Sequence, residues 1–350
     1  MKTYALLCHP GLNRVYAQQT AALCAQELWA AAASSDIALV SAEPTELAGV
    51  DYLTFVCQES LRADQLQAIA RLSAFFALFE QLPGGALLPV RAESGYVFPD
   101  NLVTLLKYSG KTNEQFTHLM VHLGQCASRS QEDGRRWLLD PLCGKGTTLF
   151  TAMRFGMEAV GVETQTTWVQ EGQTFLTKYL ERGRYKHQRV QQKRSDRKGR
   201  KIADITHFSY ALDKEAFQRQ DLRQVQFIHA DTLLSGELLP RQRFDLLVTD
   251  LPYGVQHGSK RPGGGKPGEI HLSRSAVSLV EDALGGWLLA LKPGASLVLA
   301  YNSLTTPRQA LEAAMTRHGL TLVDGPGYQG YAHRVDQSID RDLLIARKPE

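Results

Sequence analysis

The turn Asp250-Leu251-Pro252-Tyr253-Gly254 ends an apolar run that begins at Phe244. Its residue types suit chemistry on an exocyclic amine of a nucleobase. Such an amine is a poor nucleophile because its lone pair is delocalised into the ring. A carboxylate and a main-chain carbonyl that accept its two hydrogens localise that pair, and Asp250 with the carbonyl of Leu251 supplies both acceptors. A base must leave its stack to be modified, and the ring face of Tyr253 offers a stacking surface worth roughly 1–3 kcal/mol. Pro252 stiffens the turn. Read alone, the same residues are a strand-ending turn with a solvent-facing tyrosine.

What favours the chemical reading lies upstream. The segment Asp140-Pro141-Leu142-Cys143-Gly144-Lys145-Gly146-Thr147 falls where a buried strand turns into a helix. Glycines there let backbone amides approach a ligand without interference from a Cβ. The dinucleotide pattern GxGxxG is incomplete because Leu149 replaces its third glycine, and Gly146 after Lys145 breaks the Walker pattern. Nucleoside triphosphates are therefore disfavoured. Glu163 ends the next strand, where a carboxylate can accept from both ribose hydroxyls. Asp231 ends the third strand, within reach of an adenine amino group. Each acid alone could be a helix N-cap; in order at three successive strand ends, Asp140, Glu163 and Asp231 fit one adenosyl ligand. Cys143 is a thiol at a helix start, but no histidine pairs with it, so it reads as a small packing residue. A sulfonium methyl is already activated, which leaves Asp250 to orient the acceptor rather than to act as a strong base.

Alternating elements must position these residues. Strands are expected at Trp137–Asp140, Ala159–Glu163, Val225–His229, Phe244–Thr249 and Ser296–Tyr301, with helices between them, which implies a mainly parallel sheet. Ala276, Leu279, Val280, Ala283, Leu284, Trp287, Leu288 and Leu291 form one apolar helical stripe. A further helix starts at Thr306 with Pro307 in its first turn. Leu320–Val323 and Leu343–Ala346 add two strands and complete seven. Ahead of them, Thr112 opens a helix in which Gln115 completes a capping box and Phe116, Leu119, Met120 and Leu123 line one face. Residues 1–95 mix strand-like runs at Tyr4–Cys8, Tyr52–Cys57 and Phe75–Phe79 with an Ala-rich helical stretch from about Arg14 to Ala33. They are expected to form a small α+β domain, an RNA-binding or ferredoxin-like module. The Pro- and Gly-punctuated stretch from Pro83 to Pro99 separates it from a second domain over 96–350.

The chain has 350 residues, 43% of them hydrophobic and 21% charged, enough for two globular domains. Pro10 and Gly11 interrupt the first apolar run, and no stretch of membrane-spanning length follows, so a cytoplasmic protein is expected. Five cysteines without a CxxC pair suggest neither a disulfide framework nor a zinc site. The net charge of +3 is small but unevenly placed. An insertion over about 178–220 carries Lys178, Arg182, Arg184, Lys186, Arg189, Lys193, Arg194, Arg197, Lys198, Arg200 and Lys201. It reads equally as a phosphate-binding element, with Lys193, Arg194, Arg197 and Lys198 as contacts, or as a solvated helix. The Gly-rich stretch 254–268, with His257, Lys260, Arg261 and Lys266, follows the catalytic turn and reads either as a closing loop or as plain disorder.

The motifs DPLCGKGT, GVE, HAD and TDLPYG, preceded by KYSGKTNEQFTHLMVHL, resemble the tRNA guanine-N2 methyltransferase group often associated with THUMP domains. The resemblance covers roughly residues 100–350. It implies a Rossmann-like class I methyltransferase fold with a seven-stranded sheet. It further implies S-adenosylmethionine as cofactor, held by Asp140, Cys143, Gly144, Gly146, Glu163 and Asp231, with Thr112 and Asn113 flanking its methionine moiety. Asp250, Leu251, Pro252 and Tyr253 would receive the base, and tRNA would be the partner; nothing calls for an obligatory protein partner or a metal. About 95 N-terminal residues are too few for both a ferredoxin-like module and a full THUMP domain, a departure from the group. Two alternatives remain. DNA adenine-N6 and cytosine-N4 methyltransferases share the motif order but typically show two prolines in the catalytic tetrapeptide. A catalytically degenerate RNA-binding protein would be expected to lack the Asp or Tyr present here.

Overall fold

The computed structural model describes residues 1–9, 11, 14–108, 110–131, 134–253 and 275–350. The N-terminal part runs β1 (Lys2–Cys8), α1 (Arg14–Ala17), α2 (Thr20–Ser34), β2 (Leu39–Leu47), β3 (Val50–Cys57), α3 (Ala63–Ala70), β4 (Phe75–Gln81) and β5 (Leu87–Val90). The strands form an antiparallel sheet in the order β2-β3-β1-β4-β5. Four of them with α2 and α3 make the split βαβ arrangement of ferredoxin-like folds. Alternation explains which face is covered: Tyr4, Leu6, Leu53, Phe55 and Leu78 are buried together with Leu28 and Ile69 of the helices. The Ala-rich stretch is two helices rather than one, broken between Ala17 and Thr20.

Next come α4 (Asn101–Thr104), α5 (Glu114–Ala127), β6 (Trp137–Asp140), α6 (Thr147–Arg154), β7 (Glu158–Glu163) and α7 (Thr166–Arg182). They are followed by β8 (His187–Ser195), β9 (Lys201–Tyr210), α8 (Lys214–Gln218), β10 (Arg223–His229), α9 (Ser235–Leu238) and β11 (Phe244–Asp250). The chain closes with α10 (Ala276–Ala290), β12 (Leu291–Asn302), α11 (Arg308–Arg317), β13 (Thr321–Leu322), β14 (His333–Arg334) and β15 (Asp340–Arg347). The second sheet has the order β13-β15-β12-β11-β6-β7-β10-β9-β8, with β14 on β15. Its central strands pair in parallel and β15 lies antiparallel to β12. The expected seven strands are therefore present, from β13 to β10, in a Rossmann-like class I arrangement. Order reverses between β6 and β11, and the carboxyl ends there form the crevice in which open α/β sheets hold ligands.

Strands β6, β7 and β11 are buried along nearly their whole length because helices cover both faces. Helices α5, α6 and α7 contribute to one core with Phe150 and Phe227, and α10 and α11 to the other with Trp287 and Leu311. The first core continues into the N-terminal part: Tyr16 meets Phe116 edge-on with ring centroids 6.4 Å apart. Buried Glu27 of α2 accepts from His122 Nδ1 of α5 at 2.7 Å and from the backbone of Ser73.

Two local expectations change. The cap of α5 is Asn113, whose Oδ1 accepts from the amides of Gln115 (2.8 Å) and Phe116 (3.2 Å), so Thr112 is freed for another contact. The basic insertion is no solvated helix beyond α7: β8 and β9 form a hairpin whose second strand pairs with β10. Alternating Thr206, Phe208 and Tyr210 are buried on one face, and a strand with a buried face is held where a charged helix would not be. The Gly-rich stretch 254–268 lies outside the described residues. No helix among the described residues is long and apolar enough to cross a membrane.

Candidate active site

The loop after β6 is shaped by its two glycines. Gly146 has φ 95°. A Cβ there would lie 3.0 Å from Phe227 and 3.3 Å from Phe150, so both backbone and space demand glycine. Gly144 has φ 53°. A Cβ on it would meet no atom within 4 Å, which leaves its outer face open to a ligand.

The three acids are placed differently from one another. Asp140 is 2% exposed, and its Oδ1 accepts from Thr249 Oγ1 at 2.7 Å and Leu142 N at 3.1 Å. Burial pushes its carboxyl up to about 6, against those hydrogen bonds. It ties the end of β6 to β11 and shapes the loop from beneath. Glu163 Oε2 accepts from Gly144 N at 3.0 Å and Oε1 from Gln165 N at 2.7 Å, so it stands directly beside the open glycine. Asp231 is exposed, and its Oδ1 caps the turn Thr232–Leu234 by accepting from Leu233 N at 3.0 Å. Cys143 is buried, its amide donates to Val162 O at 2.9 Å, and burial with the nearby Asp140 and Glu163 pushes its thiol well up. It belongs to the buried core with Leu149 and Phe150.

Asp250 ends β11, the neighbour of β6. Its Oδ2 accepts from Thr112 Oγ1 at 2.8 Å, and both its oxygens lie within 2.5–2.7 Å of the Tyr253 hydroxyl. That hydroxyl in turn accepts from Arg341 Nε at 2.6 Å. Arg341 is 4% exposed, stands 4.7 Å over the Phe116 ring and 5.2 Å from the Tyr253 ring, and approaches Asp250 Oδ2 at 3.7 Å. Burial, with Asp250 alongside, holds the Tyr253 phenol far above its ordinary value, so it stays a donor at neutral pH. The sequence assigned Tyr253 only a stacking face; the structure gives its hydroxyl a second task, fixing the carboxylate. Leu251 is anchored by its amide to Ala300 O at 2.9 Å, and Pro252 is exposed. The strand ends thus bring together Asp140, Gly144, Glu163, Asp250 and Thr112, while Lys193, Arg194, Arg197 and Lys198 sit apart on the β8–β9 hairpin.

Two residues at the site escaped the sequence reading. Arg341 stands between Asp340 and Asp342 at the charged start of β15, and nothing in that local sequence signals its burial against Tyr253 and Phe116. Tyr108 hydrogen-bonds Thr147 Oγ1 at 3.2 Å and carries Lys145 Nζ 4.4 Å from its ring, so it covers the start of α6.

The sheet order and the glycine loop between carboxylates define a methyltransferase of the Rossmann-like class. The chain belongs to the RMKL-like methyltransferase-domain family, whose profile matches residues 112–317, more than half of its length. No curated protein sequence matches it. Among solved structures it is similar to TrmN from Thermus thermophilus, with 13% identity and a TM-score of 0.43 over 99% of this chain and 100% of that one. It is also similar to SMU.1697c, a putative methyltransferase from Streptococcus mutans in complex with SAH, with 10% identity and a TM-score of 0.34 over 63% and 93% of the two chains. A methyltransferase homolog from Pyrococcus horikoshii shows 13% identity and a TM-score of 0.37 over 66% of each chain. The cofactor is S-adenosylmethionine. The residues fit it: the open face at Gly144 leaves room, and Glu163 and exposed Asp231 retain acceptor capacity for hydroxyl and amino donors.

Proposed function

We propose that this chain transfers a methyl group from S-adenosylmethionine to an exocyclic amine of a nucleic-acid base, guanine N2 in tRNA. The observation that carries the reading is the Asp250 carboxylate, held by Thr112, Tyr253 and Arg341 at the strand end beside the Gly144 loop. A fixed carboxylate accepting one amine hydrogen, with the Leu251 carbonyl accepting the other, aims the nitrogen lone pair at the sulfonium methyl. Positioning of this kind supplies most of the required acceleration. Glu163 takes the ribose, Asp231 the adenine amino group, and Thr112 and Asn113 flank the methionine end. Cys143 and Gly146 keep the loop in shape, and Asp140 braces it from below. Tyr253 stacks the extruded base beside Pro252. Residues 1–95 form the accessory domain and 96–350 the catalytic one, working in the cytoplasm.

The test is methyl transfer from labelled S-adenosylmethionine to unmodified tRNA and to duplex DNA, followed by mass spectrometry of the nucleosides. N2-methylguanosine in tRNA is the expected product. Methyl groups on adenine or cytosine of DNA, with tRNA untouched, would refute the reading.

A further inference from the structure

The β8–β9 hairpin concentrates charge that the whole chain does not have. Residues 186–201 hold eight lysines and arginines against one acid, Asp196, whereas the full chain has a net charge of +3. The fold decides where that charge goes. β9 is antiparallel to β10 with Asp204 opposite His229, the last residue of β10. The start of β9 therefore points out over the carboxyl ends of the sheet, where the cofactor loop and Asp250 lie. Lys201 stands three residues past that register point, so the strands overrun β10 by about 10 Å before the turn begins.

The tip is preorganised. Asp196 Oδ1 accepts from the amides of Lys198 and Arg200, both at 2.9 Å, and its Oδ2 from Arg200 Nε at 2.8 Å. Gly199 turns the chain with φ 77°. Arg200 thereby neutralises the only acid of the tip, and Lys201 is paired with Asp204 at 2.7 Å. Arg189 is engaged with Gln173 Oε1 at 2.7 Å. The exposed side chains of Arg194, Arg197 and Lys198 have no ion-pair partner among the described residues, and Lys193 beside them faces Asp204 across the strands. β8 is exposed along nearly its whole length and, among the described residues, pairs only with β9.

We propose that the hairpin is a phosphate-binding prong that grips the RNA backbone beside the extruded base, with Arg194, Arg197 and Lys198 as its contacts. The proposal rests on the RNA-methylating reading above and adds how the substrate is held. A rigid, uncompensated cationic tip on the reaction edge matches a polyanion by charge. Its contacts go to phosphates, which position a strand without specifying its sequence.

The test compares the full-length protein with the triple variant R194Q/R197Q/K198Q. Unmodified tRNA is the probe, duplex DNA the competitor, and affinity is followed against salt. Loss of three phosphate contacts lowers the slope of log affinity against log salt by about 2. A fourfold rise in salt then weakens the wild-type protein by roughly 15-fold more than the variant. S-adenosylmethionine affinity, read by calorimetry, stays at the wild-type value and confirms that the variant is folded. If wild-type protein methylates tRNA but the variant keeps its slope, the prong is wrong and the reaction assignment stands. If wild-type protein neither binds nor methylates tRNA, or if duplex DNA displaces it at equal concentration, both fail.

Discussion

Replacing Tyr253 by phenylalanine separates the two tasks of this residue. The ring remains to stack a base, while the hydroxyl that donates to Asp250 and accepts from Arg341 is lost. A hydrogen bond to a charged group contributes about 1.5–3 kcal/mol. Losing it frees the Asp250 carboxylate to rotate, with Thr112 and the more distant Arg341 as its remaining holds. Expressed as lost orientation in the transition state, that is a fall in kcat of roughly 10- to 150-fold. S-adenosylmethionine affinity should change little, because neither Tyr253 nor Asp250 belongs to the Gly144–Glu163 side of the site. Steady-state methyl transfer on tRNA, with calorimetry for the cofactor, reads both quantities. Asp250→Ala sets the floor, with transfer abolished and cofactor binding kept. A Tyr253→Phe protein turning over within about twofold of wild type would refute the argument that the hydroxyl fixes the carboxylate.

Asp140→Asn keeps an acceptor for Thr249 and Leu142 and removes a buried charge, so it should be at least as stable as wild type at pH 7, whereas Asp140→Ala should lose about 1–3 kcal/mol in urea denaturation. Burial raises the folded-state value of Asp140 to about 6, above the ordinary 3.8. The stability it contributes is therefore complete below about pH 4 and is lost as pH rises through 6, a slope that should vanish in Asp140→Asn. Gly144→Ala should fold and yet bind S-adenosylmethionine weakly, while Gly146→Ala, pressed against Phe227, should lose a further ~1–3 kcal/mol of stability by thermal melting. Burial opposes the charge on His122, but Cys126 and Glu27 outweigh it and raise the imidazole to about 10. Its contribution is full below about pH 6.5 and lost as pH rises through 10, so melting temperatures of wild type and His122→Gln should differ most at pH 6 and converge above 10.

The sequence by itself settled what repeats along the chain. Short apolar runs alternating with helical stripes required a parallel sheet and put Asp140 and Glu163 at strand ends, because strand length and side-chain period are local properties. The terminal strands followed from the same periodicity. The capping of α5 was misplaced by one residue, since Thr112 and Asn113 are both good caps and only the contact of Thr112 with Asp250 decides between them. Charge density marked the insertion but not its form. Pairing of β9 with β10 turned it into a hairpin, an interaction between segments separated by α8.

Tertiary structure alone decided which acids are available to a ligand. Asp140, Glu163 and Asp231 look alike in sequence, yet Asp140 is closed off by Thr249, a residue 109 positions away. Arg341 likewise reaches Tyr253 across 88 positions because β15 runs antiparallel to β12, beside the strand that Asp250 ends. Side-chain type is written locally, but desolvation and hydrogen-bond partners are set by whatever the sheet order brings alongside, and these determine which carboxylate is closed off and which keeps free acceptor capacity.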